Sequence, residues 1–411
     1  QKAVEEARMD LRLICKNAGH GDGLPREGGI VQAYEVRRTQ ALLSACADPD
    51  CYFCDWWAKG VRLGAPDRKL PRTPAVFDRK VKWKKLEKSD ELHGGWQQNY
   101  SSIGEHAHLV EKQFEAEAAE SLMGHCTLRE AMKTYGDRLN IASTGAIAKK
   151  GRTAEVRVIY DGTHGLDLNV GIRVRDQVKF PTCADGKEVL SECSAEGGPH
   201  FSIHVDISKA HRRVPVLEED WGRQGCQIKG SAAVAAREAL ARLAEDAMRE
   251  QVTRGKGATE APRLRPRAED LPAHILDEKI WLNKVGSFGV ASAGYWWGRA
   301  GACGCRLSHY MLGYRFMLWL LLYGDDEWLV GRGKEYHLAL LLHMLVLDII
   351  GTPISWHKVG GGIQTDWVGY WLDVSRFEIG VSESRAAWAV QWLEAKARER
   401  KARLGEIREG L

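Results

Sequence analysis

The sequence predicts an α+β fold, and three observations carry that prediction. Apolar residues 316–322 and 328–330 flank Tyr323-Gly324-Asp325-Asp326, a pattern of strand, tight turn and strand. Residues 202–207 alternate polar and apolar as a half-buried strand does, and carry Asp206 near their end. Long stretches at helical spacing, 105–122, 231–249, 290–311 and 382–408, lie between and around these strands. Two carboxylates on a turn that its own strands would bury are costly unless a cation or a partner neutralises them. A metal site is one explanation and an ordinary solvated Gly-Asp turn is the other. The tetrapeptide alone does not choose.

Composition sets the bounds. The chain has 411 residues, 44% hydrophobic and 28% charged, the profile of a globular chain of two or three domain equivalents. Its formal charge of +4 is modest, so a polyanionic partner must be argued from local patches. Ten scattered cysteines and no secretory leader predict reduced thiols in an intracellular protein, cytoplasmic or nuclear. The apolar stretches 316–322 and 338–350 fall short of the ~20 residues a membrane span requires, so no membrane partner is expected. A chain that starts at Gln1 is expected to be part of a longer product.

Residues 1–104 read as an N-terminal extension of unknown role. Cys46, Cys51 and Cys54 have the spacing of half a zinc site, but no second pair follows closely, and simple thiols are the preferred reading. Residues 68–88 thread nine Lys or Arg with Pro71, Pro74, Phe77 and Trp83. Such a segment suits a nucleic-acid backbone, and a solvated linker suits it slightly better. Residues 105–122 predict a helix with Leu109, Val110, Phe114, Ala118 and Leu122 on one side. Positive charge then concentrates at Lys149, Lys150, Arg152, Arg157, Arg173, Arg175 and Lys179. A helix over 231–249 and a solvated basic loop over 255–267 follow, together an insertion spanning 229–275. Residues 290–311 predict a helix with Trp296 and Trp297 in the core. Leu338, Leu341, Leu342, Leu345 and Ile349 form an apolar stripe on another, and 382–408 a basic helix with Trp388, Trp392 and Leu393 on one side.

The motifs resemble a known family. Asp206-Ile207-Ser208-Lys209-Ala210-His211-Arg212-Arg213-Val214-Pro215-Val216 is similar to motif A of reverse transcriptases, and Tyr323-Gly324-Asp325-Asp326 to motif C. Ser287-Phe288-Gly289-Val290-Ala291-Ser292-Ala293 resembles motif B as retrotransposon enzymes carry it. Upstream, residues 147–161 and Asn169 resemble the fingers hairpin; downstream, Gly351 to Ser355 with Lys358 resemble motif D, and Trp367 to Leu372 the motif E primer grip. The chain is thus identified as resembling the reverse transcriptase domain of a retrotransposon-type element over residues 105–380.

The resemblance implies a right-hand polymerase, with fingers at 105–200, a palm at 201–380 whose antiparallel sheet is backed by helices, and the start of a thumb at 381–411. It implies RNA-directed DNA polymerase activity with Asp206 and Asp325 sharing two magnesium ions, manganese being possible, and Asp326 supporting the turn or touching metal weakly. Lys150 and Arg157 would hold the triphosphate, Ile207, His211, Phe288 and Gly289 the nucleotide, and Val368, Gly369 and Tyr370 the primer. Lys358 would protonate pyrophosphate. The implied partners are an RNA or DNA template with primer, deoxyribonucleoside triphosphates, and further domains of a longer polyprotein. Three positions depart from the pattern: Gly324 replaces Ala or Met, Glu327 takes a normally apolar place, and His211 stands where an aromatic wall is usual. An RNA-directed RNA polymerase, or a degenerate copy that only binds nucleic acid, are the alternatives.

Overall fold

The computed structural model describes residues 9, 13, 33–65, 69–74, 77–82, 95–149, 152–166, 168–254, 265–313, 315–403 and 405. They fall into two compact units, one formed by Lys179–Ser208 and Gly301–Leu411, the other by Glu5–Val178 and Lys209–Ala300.

The first unit is built on a four-stranded antiparallel sheet in the order Gly360–Gly362, His200–Asp206, Asp326–Arg332, Leu318–Tyr323. The alternation of the sequence sets what each face meets. Val205 and Leu329 pack on Leu340 of the helix Tyr336–Ile349, while Trp328 and Val330 pack on Val189, Leu190 and Cys193 of the helix Cys183–Glu196. That second helix starts at a capping box, in which Asp185 Oδ2 accepts from the Thr182 N–H (2.7 Å) and hydroxyl (2.6 Å). Trp328, Leu329 and Val330 are all fully buried, each worth about 1.5–3 kcal/mol or more. The strand that leaves the Asp325 turn is therefore clamped on both faces. A second sheet, Gln364–Trp367, Tyr370–Asp373 and Glu378–Val381, adds Trp367 and Leu372 to the same core.

Two expectations are corrected in this unit. Leu338 and Leu341 of the anticipated stripe are exposed while its Ile349 is buried, and the buried face is Ala339, Leu340, His343, Val346, Leu347 and Ile349. The helix is apolar on almost every side, so periodicity could not select the buried face. The terminal helix spans Glu383–Glu399, shorter than 382–408, and stops where Arg400 turns left-handed at φ 51°. Trp388 and Trp392 stack on it at 6.4 Å, and none of its residues is buried.

In the second unit the sheet order is Met123–Thr127, Lys279–Asn283, Gly225–Cys226, Ile141–Ala142, and the strands Thr144–Lys149 and Arg152–Tyr160 pair as an antiparallel hairpin. The predicted helices are present as Ser101–Ala119 and Ala232–Arg254. Ala232, Ala235, Ala236 and Ala239 let the latter close on Leu128, Ala131 and Ile275 in the main core. Trp296 and Trp297 are core residues, as expected.

The basic segments are more firmly packed than their composition suggests. Residues 255–264 lie outside the described residues, but Arg265 is half-buried and donates to Asn140 Oδ1 (3.0 Å) and the Leu139 carbonyl, where a solvated loop was expected. Within 68–88, Arg72 and the Thr73 N–H hold buried Asp176 at 3.1 and 2.7 Å, and Lys80 N–H donates to the Arg175 carbonyl at 2.8 Å. This part is docked, and is not a free linker. The earlier residues are docked too: buried Asp50 receives Arg299 Nε at 3.1 Å, and the Leu63 N–H donates to Asp220 Oδ2 at 3.0 Å. Cys46 is exposed, Cys51 half-buried and Cys54 buried.

Candidate active site

The antiparallel register brings the acids together. Asp206 lies directly opposite Asp326, and the Ile207 N–H donates to the Asp325 carbonyl at 2.9 Å. Gly324 and Asp325 form the two-residue turn between Tyr323 and Asp326, with Gly324 at φ 63°. A hairpin turn whose first central residue is left-handed favours glycine there, which accounts for the departure at this position. Like charges facing each other across strands repel. Burial, and then Asp325 and Asp206, push the Asp326 carboxyl up to about 6 against the opposing pull of Lys358. Lys358 Nζ sits 2.7 Å from Asp206 Oδ2, so the predicted Asp206, Asp325, Asp326 and Lys358 share one site. Ile207, expected at the nucleotide, is buried.

Behind the acids lies a network that the sequence did not reveal. Glu327 points to the opposite face of its strand from Asp326 and is fully buried, its Oε2 at 3.1 Å from His343 Nε2. His343 Nδ1 lies 2.8 Å from the Ser308 hydroxyl, which donates to the Gly304 carbonyl at 2.9 Å. All three side chains are buried, so this is a satisfied polar chain holding two helices to the strand that carries Asp326. The signal in the sequence was the unexplained acid in an apolar place.

Val368 and Gly369 form the two-residue turn between Trp367 and Tyr370, at φ 48° and 77°. Trp367 Nε1 donates to the Asp326 carbonyl at 3.2 Å, and its ring lies edge-on to Tyr323 at 6.5 Å. The anticipated primer-grip turn is thereby tied to the acids' hairpin. The Arg385 guanidinium lies over the Tyr370 ring at 5.7 Å.

The second unit groups the other candidates. His211, in the short turn Ala210–Arg213, meets Phe288 edge-to-face at 6.2 Å and Trp297 at 6.5 Å. Gly289 takes φ 104°, and a side chain there would strike the Tyr160 carbonyl. Asn169 fixes this turn by donating to the Gly289 carbonyl and accepting from the Ala291 N–H, both at 2.8 Å. Nearby in sequence, Asp161 accepts from the Tyr100 hydroxyl at 2.5 Å, a bond that, with burial, pushes Tyr100 up to about 12. Arg157 is exposed on the hairpin opposite Ile147. Lys150 lies outside the described residues.

No group of three or more His, Cys, Asp or Glu is arranged to hold a metal ion among the described residues. No helix among them is long and apolar enough to cross a membrane. No family model matches the sequence, and no curated protein matches it. Among solved structures, the chain is similar to a foamy viral protease-reverse transcriptase dRH in complex with double-stranded DNA, at 9% identity and a TM-score of 0.46, over 76% of this chain and 41% of that one. It is also similar to the foamy viral protease-reverse transcriptase in complex with double-stranded DNA and with an RNA/DNA hybrid, each at 9% identity and a TM-score of 0.44 over 86% of this chain. Those two matches cover 54% and 35% of the structures concerned, so the chain spans between about a third and about half of their length.

Proposed function

We propose that this chain is a template-directed nucleotidyltransferase that copies RNA into DNA, as its motif order suggests. The observation that carries the reading is the pairing of Asp206 with Asp326 next to the Asp325 turn, which gathers three acids from two distant parts of the sequence at one end of the two central strands. Hard carboxylate oxygens suit magnesium or manganese, and an Asp326 raised to about 6 by burial and its acidic neighbours marks a site short of cations. An ion held there by so few carboxylates would complete its shell with water and substrate phosphate. Asp206 and Asp325 would hold two such ions, with Asp326 in support. When bound, the ions supply activation of the primer 3′ hydroxyl and charge stabilisation on the departing pyrophosphate.

The chain's own residues do the rest. Lys358 carries a proton for the leaving pyrophosphate. Arg157 meets the triphosphate from the hairpin, and Lys150 shares that role by resemblance of its motif. Val368, Gly369 and Tyr370 set the primer end, and the cations at the end of the helix Glu383–Glu399 and just after it, Lys396, Arg398, Arg400, Lys401 and Arg403, meet the duplex. His211, braced edge-on by Phe288, is a flat wall under the sugar. A wall rejects a 2′ hydroxyl at any protonation state, whereas a hydrogen bond to it would vary with tautomer and pH.

Primer extension on an RNA template, with deoxyribonucleotides compared to ribonucleotides, tests this reading. The wild-type chain is expected to prefer deoxyribonucleotides by at least about tenfold, the discrimination that about 1.4 kcal/mol of steric exclusion produces. His211→Ala is expected to erode that preference and His211→Tyr to keep it. Equal use of both sugars, unchanged in His211→Ala, would favour the RNA polymerase alternative.

A further inference from the structure

Lys358 is tied to the first acid through both backbone and side chain. Its N–H donates to the Ser355 carbonyl at 2.8 Å, and the Ser355 N–H donates to the Asp206 carbonyl at 2.9 Å. Its ammonium lies 2.7 Å from Asp206 Oδ2, with the Asp206 side chain 12% exposed and that of Lys358 53% exposed. The carboxylate is fixed by the sheet, while the lysine reaches it on a flexible stem. The ammonium thus occupies an oxygen that a divalent ion would use. Two cations on one carboxylate repel each other at short range.

We propose that Lys358 and the metal compete for Asp206: the ammonium holds the carboxylate in the metal-free chain, and metal binding releases it. The inference rests on Asp206 being a metal ligand. It gives the contact a physical purpose, since without it the facing Asp206 and Asp326 carboxylates would have no counter-charge from Lys358 before metal arrives. Reciprocity follows, because whatever factor Lys358 takes from metal affinity, bound metal takes from the Lys358–Asp206 pair. A lysine released from Asp206 is then free to meet a bound phosphate, so loading of the site and arming of the proton donor become one event.

The test is titration of the full chain with Mn²⁺ alone, without nucleic acid, reading free ion by electron paramagnetic resonance. Wild-type protein is expected to bind Mn²⁺ at a site that Asp206→Asn removes or weakens. Lys358→Gln is expected to tighten binding by about fivefold, the worth of a partly exposed ion pair. Lys358→Arg is expected to stay within about twofold of wild type, since the competitor is kept. In an Asp206→Asn background, Lys358→Gln is expected to change nothing, and in extension assays Lys358→Gln is expected to lower turnover despite tighter metal. Unchanged or weaker Mn²⁺ affinity in Lys358→Gln would overturn the competition alone. Tightening that persists without Asp206 would also overturn it, by showing a general field effect. No Asp206-dependent Mn²⁺ binding at all would overturn both the competition and the metal reading beneath it.

Discussion

The hairpin that presents Asp325 and the hairpin that presents Val368 are both two-residue turns in the same unit, yet they are costly for different reasons. At the first, Gly324 takes the left-handed angle of 63° that glycine adopts freely, so the backbone is relaxed. Its cost is electrostatic, in carboxylates pressed together until burial and its neighbours raise Asp326 to about 6. At the second, a β-branched Val368 is held at φ 48°, and the cost is conformational. The difference teaches that one turn can be relieved by binding a cation while the other cannot. Strain of the second kind persists only where the surroundings enforce it, here through the Ser382 N–H donating to the Gly369 carbonyl at 3.0 Å and through Arg385 against Tyr370.

The comparison can be broken at its support, at its charge and at each turn. Glu327→Leu alone leaves His343 buried beside Ser308 without its acid, and is expected to cost about 3 kcal/mol in urea denaturation. The double variant Glu327→Leu/His343→Leu is expected to recover most of that loss, because neither member of the pair is then left buried without its partner. A double variant as unstable as the single would show that the network is irreplaceable by packing. The charge is tested next, by Asp326→Asn in a chelator. The folded carboxyl titrates at about 6, above its ordinary 3.8, so the metal-free wild type loses stability as pH rises between those values and has lost it fully above them. Asp326→Asn is expected to remove that slope and, after discounting for solvent screening, to gain about 1–2 kcal/mol at neutral pH. A wild-type stability curve with no slope over that window would show that neither burial nor the neighbouring acids raise the Asp326 carboxyl.

The turns give the smallest effects. Val368→Asn, which tolerates the left-handed region, is expected to stabilise by about 1 kcal/mol while lowering extension from a primer end. A gain in stability with no change in extension would mean that the strain serves no purpose in primer handling. Gly324→Ala is expected to lose about 1 kcal/mol, without a clash, since nothing lies within 4 Å of the added methyl. No loss of stability there would remove the contrast between the two turns.

What the sequence made legible follows from the range of the forces involved. The acids' hairpin and the Asp206 strand were readable because alternation, Gly-Asp turn chemistry and flanking apolar runs are local signals. The face buried by Tyr336–Ile349 was not, because the helix is apolar nearly all round and His343 is satisfied in the core by Glu327 and Ser308 on other elements. Arg72 with Asp176, Arg265 with Asn140 and Arg299 with Asp50 were equally hidden. Each joins residues far apart in the chain, and composition showed only basic or unassigned stretches. Asn169 was visible as part of a motif, but its role as the clamp on Gly289 and Ala291 required the folded turn.

The central claim is that Asp206 and Asp325 act together on metal-bound substrate, and one paired measurement tests it. Asp206→Asn and Asp325→Asn proteins would be compared with wild type for primer extension on an RNA template and, in the same preparations, for duplex binding. The account predicts that either substitution lowers extension by at least about a thousandfold, as loss of a group acting in the transition state does. Duplex binding should stay within about twofold, because backbone phosphates are met by cations elsewhere. Extension retained within about tenfold of wild type by either variant, with duplex binding intact, would contradict it.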